Sequence, residues 1–188
     1  MKAVEPIRDS KQINAMKKYL KGNNIRDYAL FTVGINVALR ISDLLKLTWG
    51  DVLDGKKFRV IILKEGKTHK IRNIKLNRTS TKALEELLET LDTYGMDDYI
   101  FKSREGENEP ITRQQAFYIL RDAAKAVGIK EKVGTHTLRK TWGYHAWKKG
   151  YSPALIMDTL NHGNLSVTKR YLGIRQDEIN DLYESLNI

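Results

Sequence analysis

Apolar residues recur at helical spacing along most of this chain. Ile13, Met16 and Leu20 share one face of a segment that Ser10 can cap, which predicts a first helix. Tyr28, Phe31 and Ile35 repeat the pattern over about Arg26 to Ala38, and Ser42 can cap a short third helix with Leu44, Leu45 and Leu47 inward. The period then drops to two. Phe58, Val60 and Ile62 alternate, as do Ile74 and Leu76, and the polar run Lys64-Glu65-Gly66-Lys67-Thr68-His69 lies between them. This predicts a β-hairpin with a loose, basic turn. Ile71 is out of phase with Ile74 and Leu76, which implies a bulge, and Tyr99-Ile100-Phe101 would add a short third strand.

Helical spacing returns at Thr79 or Ser80, with Leu84, Leu87, Leu88 and Leu91 as the stripe. Thr112 can cap a helix that buries Phe117, Leu120 and Ala124 and stops at Gly128. Thr135 precedes another that runs through Trp142 to about Lys149 and ends at Gly150; Ser152-Pro153 opens the next. A final helix from about Asp177 carries Ile179, Leu182 and Leu186. The expected fold is α+β, mainly α-helical, with a small three-stranded antiparallel sheet. No repeat, low-complexity tract or linker interrupts it, so residues 1–188 are expected to form a single domain.

Composition narrows the function. The chain has 188 residues, 41% hydrophobic and 30% charged, which describes a globule and not a disordered chain. It carries 33 Lys+Arg against 23 Asp+Glu, a net charge of +10. Such an excess favours a polyanionic partner, since each phosphate neutralised releases counterions. The absence of cysteine excludes disulfides, zinc–thiolate sites and thiol nucleophiles. No apolar run approaches the roughly 18 residues of a membrane span, and no signal-peptide core opens the chain, so the expectation is a cytoplasmic protein without a membrane partner.

Against that background some side chains stand out. His136 and Arg139 lie three apart at a helix start, where backbone N–H groups and the helix dipole favour a bound phosphate. An exposed polar face would read the same way. Arg40 sits between Leu39 and Ile41 in surroundings that predict burial; it could grip a phosphate or simply pair with Asp43. Lys64, Lys67 and Lys70 crowd the hairpin turn, and the local pattern does not choose among them or exclude a solvated turn. Tyr171 follows His162 by nine residues, and each taken alone is as readily a core residue as a reactive one. Together, two arginines, two imidazoles, a lysine and a phenol are the parts for attack on a phosphodiester without a metal.

In order and spacing these residues resemble the tyrosine recombinase (phage integrase) family. The resemblance rests on Leu39-Arg40-Ile41-Ser42-Asp43-Leu44, the hairpin lysine, His136-x-x-Arg139, and His162 with Tyr171, and runs from about residue 25 to 173. Counting back from Lys75-Leu76, which replaces the usual Pro-Leu, selects Lys67. The resemblance implies that Tyr171 attacks the scissile phosphate, forming a 3′-phosphotyrosyl link and a free 5′-hydroxyl. Arg40 and Arg139 would hold the non-bridging oxygens, Lys67 would be the general acid, His136 would assist proton transfer and His162 would hydrogen-bond the phosphate. Asp43 would support Arg40.

The covalent link conserves bond energy, so neither a cofactor nor a metal is expected. The implied partner is double-stranded DNA, held by a homo-oligomer, a tetramer on DNA, with a monomer allowed when free. The implied activity is site-specific recombination or integration, in a bacterial or phage-encoded protein associated with the nucleoid. DNA contacts are expected from Lys64, Lys70, Lys140, Lys169 and Arg170, with Lys130, Lys132, Lys148, Lys149 and Arg175 as further basic surface. Two rivals share the resemblance: an integrase-fold regulator without turnover, and a type IB topoisomerase-like relaxing enzyme. A basic helical DNA binder with accidental matches is the third.

The chain departs from the family pattern at Asn161, where Gly commonly precedes the histidine, and at Lys140, where His is common. Most members also carry a helical DNA-clamping domain ahead of this one. Only about 25 residues precede the match here, so a catalytic domain without a separate N-terminal core-binding domain is expected.

Overall fold

In the computed structural model, the residues described are 4–55, 57–58, 60–67, 69–172 and 176–186, without the side chains of 170, 172, 176–178, 180 and 181. Helix α2 (Ile25–Val37) is the centre of the fold. Its run of Ala29, Leu30, Phe31, Thr32, Val33, Gly34 and Ile35 is buried almost all round, and it packs against α1 (Ser10–Asn23), α4 (Arg78–Leu88) and α6 (Thr135–Lys148). Gly34 allows the closest of these approaches: a Cβ there would meet Leu138 Cδ1 of α6 at 2.7 Å. Helix α5 (Arg113–Ala126) joins the same core through Leu120 and Ala123, completing a layer that includes Phe101 and Leu84. Full burial of each such side chain contributes about 1.5–3 kcal/mol.

Capping follows the chain chemistry, at the expected residue for two helices and one residue earlier for α1. Asp9, not Ser10, caps α1, its carboxylate accepting from Lys11 N at 2.7 Å. Thr112 caps α5 in a reciprocal box with Gln115, and Ser152 caps α7 (Pro153–Thr159) with Pro at the first turn.

The sheet differs from expectation in three ways. First, it is two separate hairpins: β1 (Leu53–Asp54) pairs with β2 (Lys57–Phe58), and β3 (Val60–Lys64) pairs with β4 (Ile71–Lys75), both antiparallel. The segment near Tyr99 does not join them, because its backbone is bonded to residues 47–50: Trp49 N to Asp98 O, Gly50 N to Met96 O and Ile100 N to Leu47 O. Second, β3 and β4 pair in continuous register from Val60↔Lys75 to Lys64↔Ile71, so there is no bulge, and Ile71 simply faces outward.

Third, the inward phase of β3 is Ile61, not Val60 and Ile62. Phe58 belongs to β2, so its alternation does not carry into β3. Period two then places Ile61, Leu63 and Glu65 on the inner face, with Arg72, Ile74 and Leu76 opposite.

Helices α8 (Leu165–Leu172) and α9 (Gln176–Ser185) close the described chain. The apolar residues Ile179, Leu182 and Tyr183 of α9 are exposed, as is Leu186 beyond it. No helix among the described residues is long and apolar enough to cross a membrane.

Candidate active site

Arg139 organises the site. Helix α6 begins after Gly134, whose N–H is satisfied by Thr137 Oγ1 at 3.1 Å, so Thr135 is its first residue and not its cap. One turn in, Arg139 is only 4% exposed. Its Nη1 donates to Ala38 O at 2.6 Å and its Nη2 to Leu160 O. Both carbonyls belong to residues closing helices: Ala38 ends α2 in the left-handed region (φ 55°), and Leu160 caps α7. A buried guanidinium so anchored cannot swing, and burial lowers its pKa against the favourable field of Tyr171. His136, on the exposed side of the same turn, has its pKa lowered by desolvation and by the cations Arg113, Arg139, Lys140 and Arg40.

The chain leaves α7 through a Schellman motif. His162 N bonds Met157 O at 3.0 Å and Asn161 N bonds Asp158 O at 3.0 Å, with Asn161 itself at φ 48°. That left-handed backbone suits glycine best and is tolerated by asparagine, the residue found here. The motif turns His162 back towards α8. There its Nδ1 meets Thr168 Oγ1 at 3.0 Å and its ring stands edge-on to Tyr171, with centroids 4.8 Å apart. Burial, with Arg139 and Arg40 nearby, lowers the His162 pKa to about 4, so the imidazole is neutral at pH 7.

Tyr171 lies against Ala38, Ile156 and Leu160, with Trp142, Ala146 and Trp147 around them. Its Oη is buried beside Arg139 without a hydrogen bond of good geometry. Burial pushes its pKa up to about 12, against the pull of Arg139 and Arg40. The phenol oxygen thus lacks a well-formed hydrogen bond although both guanidinium groups act on it electrostatically.

Arg40 enters from the turn between α2 and α3 (Ile41–Leu44), as the N-cap residue of α3. Its partner corrects the expected Arg40–Asp43 pair. Arg40 Nη1 donates to Glu65 Oε2 at 2.9 Å, while Asp43 Oδ1 accepts from Gly66 N at 3.1 Å. Asp43 points from the first turn of α3 to the hairpin, so it braces the turn that carries Lys67 instead of orienting Arg40.

Arg40, His136, Arg139, His162 and Tyr171 therefore converge, and Lys67 does not. It is exposed at the hairpin turn, lining a groove with Ser42, Asp43 and Lys46. Lys64, Lys70 and Lys169 are exposed, as a DNA-facing role needs.

Lys140 is a correction. It is 8% exposed, its pKa lowered by burial, and its Nζ lies 5.3 Å from the Tyr171 ring centroid. As the residue after buried Arg139 it faces α8, not solvent. The Arg170 side chain and Arg175 lie outside the described residues.

Sequence reasoning missed Glu65, which is fully buried, and Arg72, whose Nη1 is 3.8 Å from Glu65 Oε1. The signal for Glu65 was its position in phase with Ile61 and Leu63 on β3. Among the described residues no three His, Asp or Glu side chains gather to hold a metal ion.

Residues 8–178 match the profile of the phage integrase family. The chain belongs to this family. Among its relatives is the probable integrase/recombinase YoeC of Bacillus subtilis, 42% identical over 188 residues, covering 98% of this chain and 97% of that protein. The tyrosine recombinase XerD of Listeria innocua is 29% identical over 169 residues, covering 87% of this chain and 55% of XerD. The chain thus spans nearly all of YoeC but about half of XerD. In fold it is similar to the crystal structure of XerA recombinase, with a TM-score of 0.79 at 22% identity, covering 100% of this chain and 67% of that one. It is also similar to XerH site-specific recombinase bound to palindromic difH substrate, with a TM-score of 0.74 at 17% identity, covering 93% of this chain and 51% of XerH.

Proposed function

We propose that this phage integrase family member is a site-specific DNA recombinase in which Tyr171 is the nucleophile. The observation that carries the reading is the unpaired Tyr171 Oη beside Arg139, with Arg40 near and His162 packed on its ring. Oη attacks phosphorus and the P–O5′ bond breaks, leaving a 3′-phosphotyrosyl link and a 5′-hydroxyl. Arg139 and Arg40 balance the charge of the pentacoordinate transition state. Neutral His136 accepts the phenol proton, neutral His162 hydrogen-bonds a phosphate oxygen, and Lys67 protonates the departing 5′-oxygen once DNA draws the hairpin turn inward. Rejoining reverses these steps with a new 5′-hydroxyl. Because burial keeps the Tyr171 phenol protonated in the free protein, activation waits for the phosphate.

The chain acts as one catalytic domain, of a size with YoeC, on double-stranded DNA in the bacterial cytoplasm and nucleoid. The assembly on DNA is a homo-oligomer, a tetramer. Supporting this, Ile179, Leu182 and Tyr183 of α9 are exposed, and a cleft of about 400 Å³ between α2, α6 and α7 is lined by Ile35, Trp142, Ala146, Leu155 and Ile156.

The test is a covalent adduct. Nicked suicide duplexes carrying inverted-repeat sequences from the DNA flanking the gene are incubated with the protein and resolved under denaturing conditions. The wild type should form a protein–DNA adduct, and Tyr171→Phe should form none. Tight, sequence-specific binding without an adduct points instead to a regulator, and supercoil relaxation without recombinants points to a topoisomerase.

A further inference from the structure

Glu65 lies at the end of β3 with its carboxylate fully buried and surrounded by donors. Arg40 Nη1 at 2.9 Å and Asn161 Nδ2 at 3.1 Å both donate to its Oε2, and Arg72 Nη1 stands 3.8 Å from its Oε1. The network continues outward. Asn161 Oδ1 accepts from Lys70 Nζ at 3.2 Å, and Arg72 Nη1 donates to Thr159 O at 2.9 Å. Three separate parts of the site meet on this one carboxylate: the Arg40 turn, the hairpin bearing Lys67, and the loop bearing His162. The proposed chemistry uses neither Glu65 nor Asn161.

We propose that Glu65 and Asn161 are positioning residues, a carboxylate–amide clasp that holds Arg40 for the scissile phosphate and joins it to the His162 loop and the Lys67 hairpin as one unit. The inference rests on the strand-transfer reading above. A buried carboxylate is stable only when paired, and here the pairing side chain is the arginine that must meet the phosphate. Removing the charge would leave Arg40 and Arg72 facing Arg139 without compensation, a site more attractive to any anion yet less well ordered. Asn161 points the same way on separate grounds. At φ 48° a glycine would be less strained, so the backbone alone gives no reason for an amide side chain there. The two hydrogen bonds of that amide give the reason.

The test uses Glu65→Gln and Asn161→Gly in the full chain, on a suicide duplex that the wild type cleaves. Glu65→Gln should bind random-sequence duplex at least as tightly as wild type while single-turnover cleavage slows about 100-fold, the scale of a misplaced catalytic group. Asn161→Gly should melt at or above the wild-type temperature, since glycine suits that backbone, and still cleave about tenfold more slowly. If Asn161→Gly cleaves at the wild-type rate, the amide is structural and the proposal is wrong. If Glu65→Gln does not fold, Asn161→Gly decides.

A second readout needs no cleavage. The Arg40 Nη–H resonances in DNA-free protein should be resolved and slow to exchange in wild type and broadened in both variants, and unchanged resonances overturn the clasp. Should the wild type form no adduct on any duplex, the strand-transfer reading falls, and the arginine resonances still decide whether the clasp exists.

Discussion

At the scale of single residues, the site is governed by what burial does to ionisation. Tyr171 and His162 touch, and desolvation favours the neutral form of each, raising the phenol to about 12 and lowering the imidazole to about 4. The imidazole has a stability consequence of defined sign. Its folded-state pKa lies below the ordinary 6.5, so between 6.5 and about 4 the unfolded chain binds a proton that the folded chain refuses. The stabilisation is therefore fully present above pH 6.5 and is lost as the pH falls through about 4. The thermal midpoint should drop over that window, and His162→Gln should drop less. His136 shifts in the same direction and will retain part of the slope. Parallel profiles for variant and wild type would show that His162 is not held neutral.

Residue types and spacing made His136, Arg139, His162 and Tyr171 legible in the chain. Glu65 was not, because a charged residue next to a basic turn looks solvated until the strand phase is known. Lys140 was misjudged for the converse reason: a lysine in a basic chain looks like surface, and only tertiary packing, with the Tyr171 ring on one side and Glu5 and Arg8 near, buries it.

At the scale of elements, the arginine fork depends on how closely α6 approaches α2. Leu138, one residue before Arg139, sits against Gly34, where an added methyl would come within 2.7 Å of Leu138 Cδ1 and 3.1 Å of Leu44 Cδ2. Leu138 and Leu44 are both buried and have little room to rotate. Gly34→Ala should therefore destabilise the protein by about 1–3 kcal/mol in denaturant unfolding, despite the better helix propensity of alanine. It should also weaken the Arg139 anchors on Ala38 and Leu160. An unchanged unfolding midpoint would mean that the two helices can separate at no cost.

Helix periodicity was readable in the longer helices, since the apolar stripes of α1, α4 and α5 leave few alternatives. The small strands were not: five residues carry too little alternation to set a phase, and the break between β2 and β3 shifted it by one. Helix α8, which presents Tyr171, was also unannounced. Its boundaries depend on Asn164, whose side chain accepts from Val167 N at 2.9 Å.

At the scale of the whole molecule, charge and exposed apolar surface describe two kinds of partner. The net charge of +10, with Lys64, Lys70 and Lys169 exposed, makes DNA affinity a matter of counterion release. Log Kd for duplex DNA should vary linearly with log salt, weakening by about 10³-fold or more between about 50 and 200 mM if six or more phosphates are neutralised. A flat dependence would argue against a phosphate-tracking surface. The second partner, under the proposed function, is another copy of the chain. Leu182 of α9 is 57% exposed, so Leu182→Asp should leave the melting temperature of the free protein within error. It should nevertheless reduce the higher-order protein–DNA complexes seen in native gels. Loss of folding in this variant would instead place α9 in the core of its own molecule.

The sequence by itself determined the helical class, the family and the chemical inventory of the site, because those reside in residue identity and in spacings along the chain. Tertiary structure alone decided the partners. Arg40 could have paired with the nearby Asp43 but pairs with Glu65, twenty-five residues away, because the hairpin turns its inner face towards α3. Arg139 is fixed by carbonyls contributed from residues 38 and 160, and Tyr171 is silenced by a pocket drawn from α2, α6 and α7. Spacing can nominate charged groups, but which charges are buried together follows from where the backbone brings them.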